Sequence, residues 1–202
     1  MFYLGLDLGQ RRDYTALAIV ERIEQRLAWM ASPPTPLGVR YLERMALGTP
    51  YPDVVSRVCE ILRDPRMAGQ SHLVVDSTGV GAPVMDLLRR AGLLANLTAV
   101  IITGGDHAHF SGDQWHVPKR ELLATLEIAL ECGDLKISRR LREAERLVKE
   151  FESMRLDPRT NGRWKMEAEG NAHDDLVLAL SLACWKAKRP RNGFGTNRLP
   201  GI

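Results

Sequence analysis

The sequence predicts an α/β fold with one mixed central sheet, antiparallel in its first three strands and parallel thereafter, flanked by helices. Three observations predict it. Two apolar, strand-length runs open the chain and are separated by a short polar turn. The middle of the chain alternates strand and helix patterns at a spacing that fits parallel crossovers. The last third has helical periodicity and ends in a nearly polar-free run from Leu176 to Trp185.

Taken in order, residues 2–8 read as strand β1 and residues 14–21 as β2. The intervening Gly9-Gln10-Arg11-Arg12-Asp13 is short enough to pair them as an antiparallel hairpin. Strand β3 falls within residues 39–47, after the proline-rich loop Ser32-Pro33-Pro34-Thr35-Pro36. Val54, Val55, Val58, Ile61 and Leu62 recur at helical period over residues 53–63, and Asp64-Pro65 stops that helix. Residues 73–76 are strand β4, residues 83–91 a helix opened by Pro83, and residues 97–103 strand β5. Residues 104–116 read as a polar loop bearing glycine and histidine. Residues 118–131 are a helix with Gly133 past its end. Residues 139–154 read as a charged amphipathic helix whose mixed charges make a solvated face, residues 155–168 as a hairpin, and residues 174–188 as the last helix. The basic, acid-free segment that follows reads as a disordered tail over residues 189–202, leaving residues 1–188 as one domain.

Composition narrows the class. A chain of 202 residues with 45% hydrophobic and 26% charged residues is globular and long enough for a substantial core. A net charge of +3 permits an acidic partner without demanding one. Cys59, Cys132 and Cys184 are scattered, each in or at a predicted helix, and each reads as a small core residue. An odd, unspaced set argues against a disulfide framework or a zinc site and fits a reducing compartment. No basic, apolar leader opens the chain, and no run is long and apolar enough to cross a membrane.

Four carboxylates stand where an ordinary fold has no use for them. Asp7 lies inside an apolar strand, Asp76 ends another, and Asp174 and Asp175 open the apolar last helix. A buried ionised carboxylate costs several kcal/mol unless it is compensated. No Lys or Arg adjoins these positions in sequence, so a divalent cation is the economical compensation. Acids from three elements make a hard-oxygen site suited to Mg²⁺ or Mn²⁺. Each acid also has an ordinary explanation: a turn contact for Asp7 or Asp76, and helix capping for Asp174 and Asp175.

The element order is that of an RNase H-like fold, in which β1, β4 and a late helix bring their acids to one edge of the sheet. The motifs Gly5-Leu6-Asp7-Leu8-Gly9 with Asp13-Tyr14-Thr15-Ala16, Val75-Asp76-Ser77-Thr78-Gly79-Val80-Gly81, Val117-Pro118-Lys119-Arg120, and His173-Asp174-Asp175-Leu176 together resemble the nuclease domain of phage terminase large subunits, over residues 2–187. The resemblance implies a metal-dependent endonuclease that cuts concatemeric viral DNA during genome packaging in the host cytoplasm. It also implies a packaging ATPase domain, a small terminase subunit and a portal as partners. Asp7 and Asp76 match the family's first two metal-binding acids. Asp174 and Asp175 match its C-terminal acidic pair, with Asp175 expected as the direct ligand. The family carries an ATPase domain ahead of the nuclease, and this sequence has no Gly-x-x-x-x-Gly-Lys-Ser/Thr loop. The chain is therefore expected to be an excised domain, or a split or stand-alone relative.

The expected chemistry uses two divalent ions about 4 Å apart, one activating water and the other stabilising the leaving 3′-oxygen, with Asp7 as the bridging ligand. Asp174 binds metal, orients water or supports the ligands from behind. Lys119 and Arg120 start a helix, where cations oppose the dipole, which favours a phosphate contact. Arg163 and Lys165 are candidates for tracking a DNA backbone, and His173 for touching substrate phosphate; such contacts give affinity without sequence specificity. The backbone of residues 77–82 is either a phosphate cradle or a tight strand-to-helix turn. His107, His109 and His116 are read as an active-site loop rather than a zinc site. The rival readings are a Holliday-junction-resolvase-like nuclease, a sugar-kinase-like ATP-binding half, and a non-catalytic DNA-binding module.

Overall fold

The computed structural model describes residues 1–9, 13–23, 36–79, 81–154 and 173–189. Its frame is an eight-stranded sheet in the order β6-β7-β5-β4-β1-β2-β3-β8. β1 (Phe2–Asp7) pairs antiparallel with β2 (Ala16–Arg22), which pairs antiparallel with β3 (Leu37–Arg44). On its other side β1 pairs parallel with β4 (Ser71–Asp76), and β4 with β5 (Asn96–Thr103). The inner order β3-β2-β1-β4-β5 is the RNase H-like arrangement expected from the sequence.

The two faces of the sheet follow from side-chain alternation. Leu4, Leu6, Leu17, Ile19, Leu73 and Val75 point to one face. There they pack with Val54, Val58 and Leu62 of α1 (Tyr51–Leu62) and with Val84 and Leu88 of α2 (Gly81–Arg90). Tyr3, Ala16, Ala18 and Val20 point to the other. There they meet α3 (Lys119–Glu131), α4 (Ala144–Ser153) and α5 (Asp175–Lys188). α5 is the central helix of that layer: residues 175–185 are all buried, which is why its sequence carries so little polar periodicity.

α5 lies unusually close to β1. A Cβ built on Gly5 would sit 1.8 Å from the carbonyl oxygen of Ala179. Gly5 pairs with Ala18, and Asp7 with Ala16, so the helix rests on a floor of small side chains. Any larger residue at position 5 would lift the helix away.

Three expectations need correction. Residues 104–116, read as a loop, contain most of a hairpin of β6 (His109–Ser111) and β7 (Gln114–Pro118), and β7 pairs parallel with β5. Its turn is carried by Gly112 at φ +64°, a left-handed conformation that favours glycine. The helix over 139–154 begins only at Ala144. Ser138 Oγ accepts the Arg140 N–H at 3.2 Å, and turns fill the stretch before the helix. Cys132 is exposed at the end of α3, whereas Cys184 is buried as expected. A short strand, β8 (Leu135–Lys136), extends the sheet beyond β3. Residues 32–35 of the proline-rich loop, the hairpin expected over 155–168 and residues 190–202 of the tail lie outside the described residues. Among the described residues no helix is long and apolar enough to cross a membrane.

Candidate metal centre

Strand register sets the first two acids side by side. Leu6 pairs with Val75 in the parallel β1–β4 ladder, so the next residues, Asp7 and Asp76, end neighbouring strands whose axes are about 4.8 Å apart. Both continue the alternation of the α5 face: Gly5 precedes Asp7 there, and Val74, which packs on Leu182 and Trp185 of α5, precedes Asp76. The Gly5–Ala179 contact then brings in the helix. Asp175 lies one turn before Ala179, and Asp7 two residues beyond Gly5, so the close packing delivers the α5 acids to the ends of β1 and β4.

The turn after β4 is tied down by hydrogen bonds. Asp76 Oδ1 accepts the Thr78 N–H at 2.8 Å, and Thr78 Oγ1 accepts the Ile102 N–H at 2.8 Å. The N–H and hydroxyl of Ser77 both donate to the Val100 carbonyl. The N–H groups of residues 77 and 78 are thus engaged within the turn and are not free to hold a phosphate.

Capping does not explain the α5 acids. Asp174 holds the N-cap position yet makes no side-chain capping bond. Glu150 of α4 does the capping: its Oε2 accepts the N–H groups of Leu176 and Val177 at 2.9 and 3.1 Å. Asp174 instead receives Lys119 Nζ at 2.6 Å. Asp175 is buried, with Arg44 Nε at 3.7 Å and His173 Nδ1 at 3.9 Å from its Oδ2, both too long for hydrogen bonds. Arg44 also reaches Glu150 at 3.8 Å and lies over the Tyr14 ring, 3.5 Å from its centroid. The cations that sequence proximity did not reveal therefore come from β3 and α3.

These cations do not settle the charge. The Asp7 carboxyl is pushed well above the ordinary range, first by burial and then by Asp76, Asp175 and Asp174, with Lys119 pulling the other way. Burial raises Asp76, against its hydrogen bonds with Thr78. Burial raises Asp175 to about 6 despite Arg44 and His173. Asp175 Oδ2 is buried with no hydrogen-bond partner among the described residues. A carboxylate-rich donor set with an unsatisfied buried oxygen fits a hard divalent cation. No three His, Cys, Asp or Glu side chains among the described residues are yet drawn together tightly enough to chelate one.

The other expected residues divide. His173 packs edge-on against Tyr14, with Nδ1 4.0 Å from Asp13 and 3.9 Å from Asp175, so it borders the acids. Arg120 is engaged with Asp106, donating to its carbonyl at 2.8 Å and to its carboxylate. His109 and His116 stack on one another across the β6–β7 pair and do not join the acid cluster. Arg163 and Lys165 lie outside the described residues. Sequence reasoning missed Arg44, Glu150 and Tyr14. A signal existed for Glu150, which sits between Leu147 and Phe151 on the apolar stripe of a helix read as solvated.

The fold and the site define an RNase H-like α/β domain with an acidic centre where β1, β4 and α5 meet. Within that class, the chain is similar in sequence to terminase large subunits. It is 24% identical over 183 residues to that of Thermus phage G20c and 23% identical over 183 residues to that of Thermus virus P23-45. Each alignment covers 91% of this chain, and the chain spans 31% of the length of each of these relatives. No family model matches. In structure it resembles the large terminase nuclease of phage G20c, at TM-score 0.61 and 21% identity, over 91% of this chain and 80% of that one. It also resembles the nuclease domain of the large terminase subunit of bacterial virus Sf6, at TM-score 0.60 and 16% identity, over 91% and 87%. The fold is thus that of terminase nuclease domains. Structures among these neighbours hold zinc in the G20c nuclease, manganese in the SPP1 and Sf6 domains, and calcium in the Sf6 subunit.

Proposed function

We propose that residues 1–188 form a divalent-metal-dependent DNA endonuclease of terminase type, using Mg²⁺ or Mn²⁺. The feature that carries this reading is the convergence of β1, β4 and the start of α5, whose register and close packing bring the elements bearing Asp7, Asp76, Asp174 and Asp175 to one end of the sheet, where Asp7 is buried and repelled by the other three acids. The metal-bearing terminase nuclease structures support it. Two divalent ions held there supply Lewis-acid activation of water and stabilisation of the leaving oxygen.

The chain's own residues divide the remaining work. Asp7, on which the other three acids act, would be the shared ligand, and Asp76 and Asp175 would hold the ions with it. Asp174, paired here with Lys119, would hold metal or water if that contact opened, and the ammonium would then be free for a substrate phosphate. His173, beside Asp175, is placed for the same anion. Arg163 and Lys165 are proposed DNA contacts, and Arg120 follows if its pairing with Asp106 opens. By the same resemblance the partners are double-stranded DNA, a packaging ATPase domain, a small terminase subunit and a portal, in the host cytoplasm.

The test is cleavage of supercoiled plasmid with Mn²⁺ or Mg²⁺. The expected result is nicking and linearisation with little sequence preference, abolished by EDTA and by the D7N/D175N double substitution. Full activity in EDTA or in the double variant overturns the proposal. Preference for a four-way junction over linear duplex would replace it with the resolvase-like reading.

A further inference from the structure

Glu150 is a buried acid that the proposed chemistry does not use. It is 5% exposed and lies on the packed side of α4 with Ala144 and Leu147. One of its oxygens holds the first turn of α5 through the Leu176 and Val177 amides, across 26 and 27 residues of sequence. The other has no hydrogen bond among the described residues and stands 3.8 Å from Arg44, which in turn faces Asp175. A helix start leaves N–H groups without intrahelical partners, and an N-cap side chain ordinarily satisfies one. Here the N-cap side chain is turned to Lys119 instead.

We infer that Glu150 is a positioning residue: by capping α5 from α4 it relieves Asp174 of that task and fixes the turn carrying Asp175 against the end of β1. Gly5 sets how closely α5 approaches the sheet, and Glu150 sets where its first turn begins. This rests on the metal reading of the acid cluster.

The test compares Glu150→Ala, which loses the acceptor, with Glu150→Gln, whose amide oxygen still accepts both N–H groups but carries no charge. Hydrogen exchange at Leu176 and Val177 and Mn²⁺ binding by calorimetry are measured without DNA. Glu150→Ala is expected to speed exchange at these amides at least 10-fold and weaken Mn²⁺ binding about 10-fold, as loss of a residue supporting metal ligands does. Glu150→Gln is expected to stay within about threefold of wild type in both readouts. If Glu150→Ala does not fold, Glu150→Asp, one methylene short of the amides, takes its place in the comparison. Unchanged Mn²⁺ affinity in the Ala (or Asp) variant overturns the inference, as does an equal loss in the Gln variant, which would place the effect in the charge. A wild-type protein that binds no Mn²⁺ overturns the metal reading itself and this inference with it.

Discussion

Gly5→Ala tests the geometry most directly, because it touches no acid. The added methyl would lie 1.8 Å from the Ala179 carbonyl oxygen and 2.9 Å from the Ala183 nitrogen. Relaxed contacts begin near 3.4 Å, so α5 must withdraw by roughly 1.6 Å, and the obstruction is backbone that no rotamer change can clear. Overpacking of this kind costs about 1–3 kcal/mol, and the backbone clash places this case at or above the upper end. For a chain of this size that is a fall in Tm of roughly 5–10 °C. The displaced turn carries Asp175 with it, and a misplacement of about 1 Å costs on the order of 100-fold in rate. The assay pairs thermal unfolding with Mn²⁺-dependent plasmid cleavage well below Tm. Gly69→Ala is the control: φ is +71° there and its surroundings are open, so it strains the chain without touching the site. The expected pattern is that both variants lose stability and only Gly5→Ala loses cleavage. Wild-type Tm and wild-type cleavage in Gly5→Ala would refute the claim that this contact sets the acid geometry.

Three further outcomes follow from the same structure. Asp7→Asn removes a carboxylate that burial and its acidic neighbours disfavour, so at pH 8 in EDTA it should unfold at higher urea while losing cleavage; a less stable variant would show that the Asp7 charge is already compensated. Folded-state pKa values near 6 for Asp175 and near 7 for Glu150 lie above their ordinary 3.8 and 4.5, so the folded state binds more protons than the unfolded chain between those limits. Stability in EDTA should therefore be highest near the lower limit and fall as pH rises towards 7, with Mn²⁺ flattening the decline; urea midpoints from pH 4.5 to 8 measure this, and a rising curve in EDTA refutes it. Glu121 accepts the Trp185 indole N–H at 2.9 Å and the Ala108 N–H at 3.2 Å. Glu121→Ala should cost about 1–3 kcal/mol in urea titration by stranding the indole donor, yet leave Mn²⁺ affinity unchanged.

The legible part of this chain was what local pattern encodes. Strand-length apolar runs pointed to β1 through β5, helical period to α1, Pro83 and Gly133 to the ends of α2 and α3, and an unbroken apolar run to α5, because each of these signals lies among near neighbours in sequence. Asp7, Asp76, Asp174 and Asp175 were legible because a charge at the end of an apolar element contradicts that pattern. The β6–β7 hairpin was hidden by its composition: His109, Phe110 and Ser111 are exposed on an edge strand, so no alternation marks them. Long-range compensation was hidden too. No Lys or Arg adjoins the acids in sequence, but Arg44 and Lys119 reach the α5 acids from other elements.

These contacts compensate part of the acidic charge and leave the rest. Lys119 answers Asp174, and Arg44 is divided between Asp175 and Glu150 at distances too long for hydrogen bonds. Asp7 stands at the centre of the cluster, next to Asp76, with Lys119 as the cation acting on it. Among the described residues, Lys119 and Arg44, with His173 beside Asp175, thus face five carboxylates: Asp7, Asp76, Asp174, Asp175 and Glu150. Glu150 already caps α5 through its hydrogen bonds. Burial raises both Asp7 and Asp76, the residues the strand register sets side by side, against the pull of Lys119. If the site served only stability, the simplest sequence would place apolar or amide side chains at those strand ends, since unmatched buried charge destabilises a fold. Retaining acids there, on a helix seated closely enough to require Gly5, is the arrangement a divalent ion would complete.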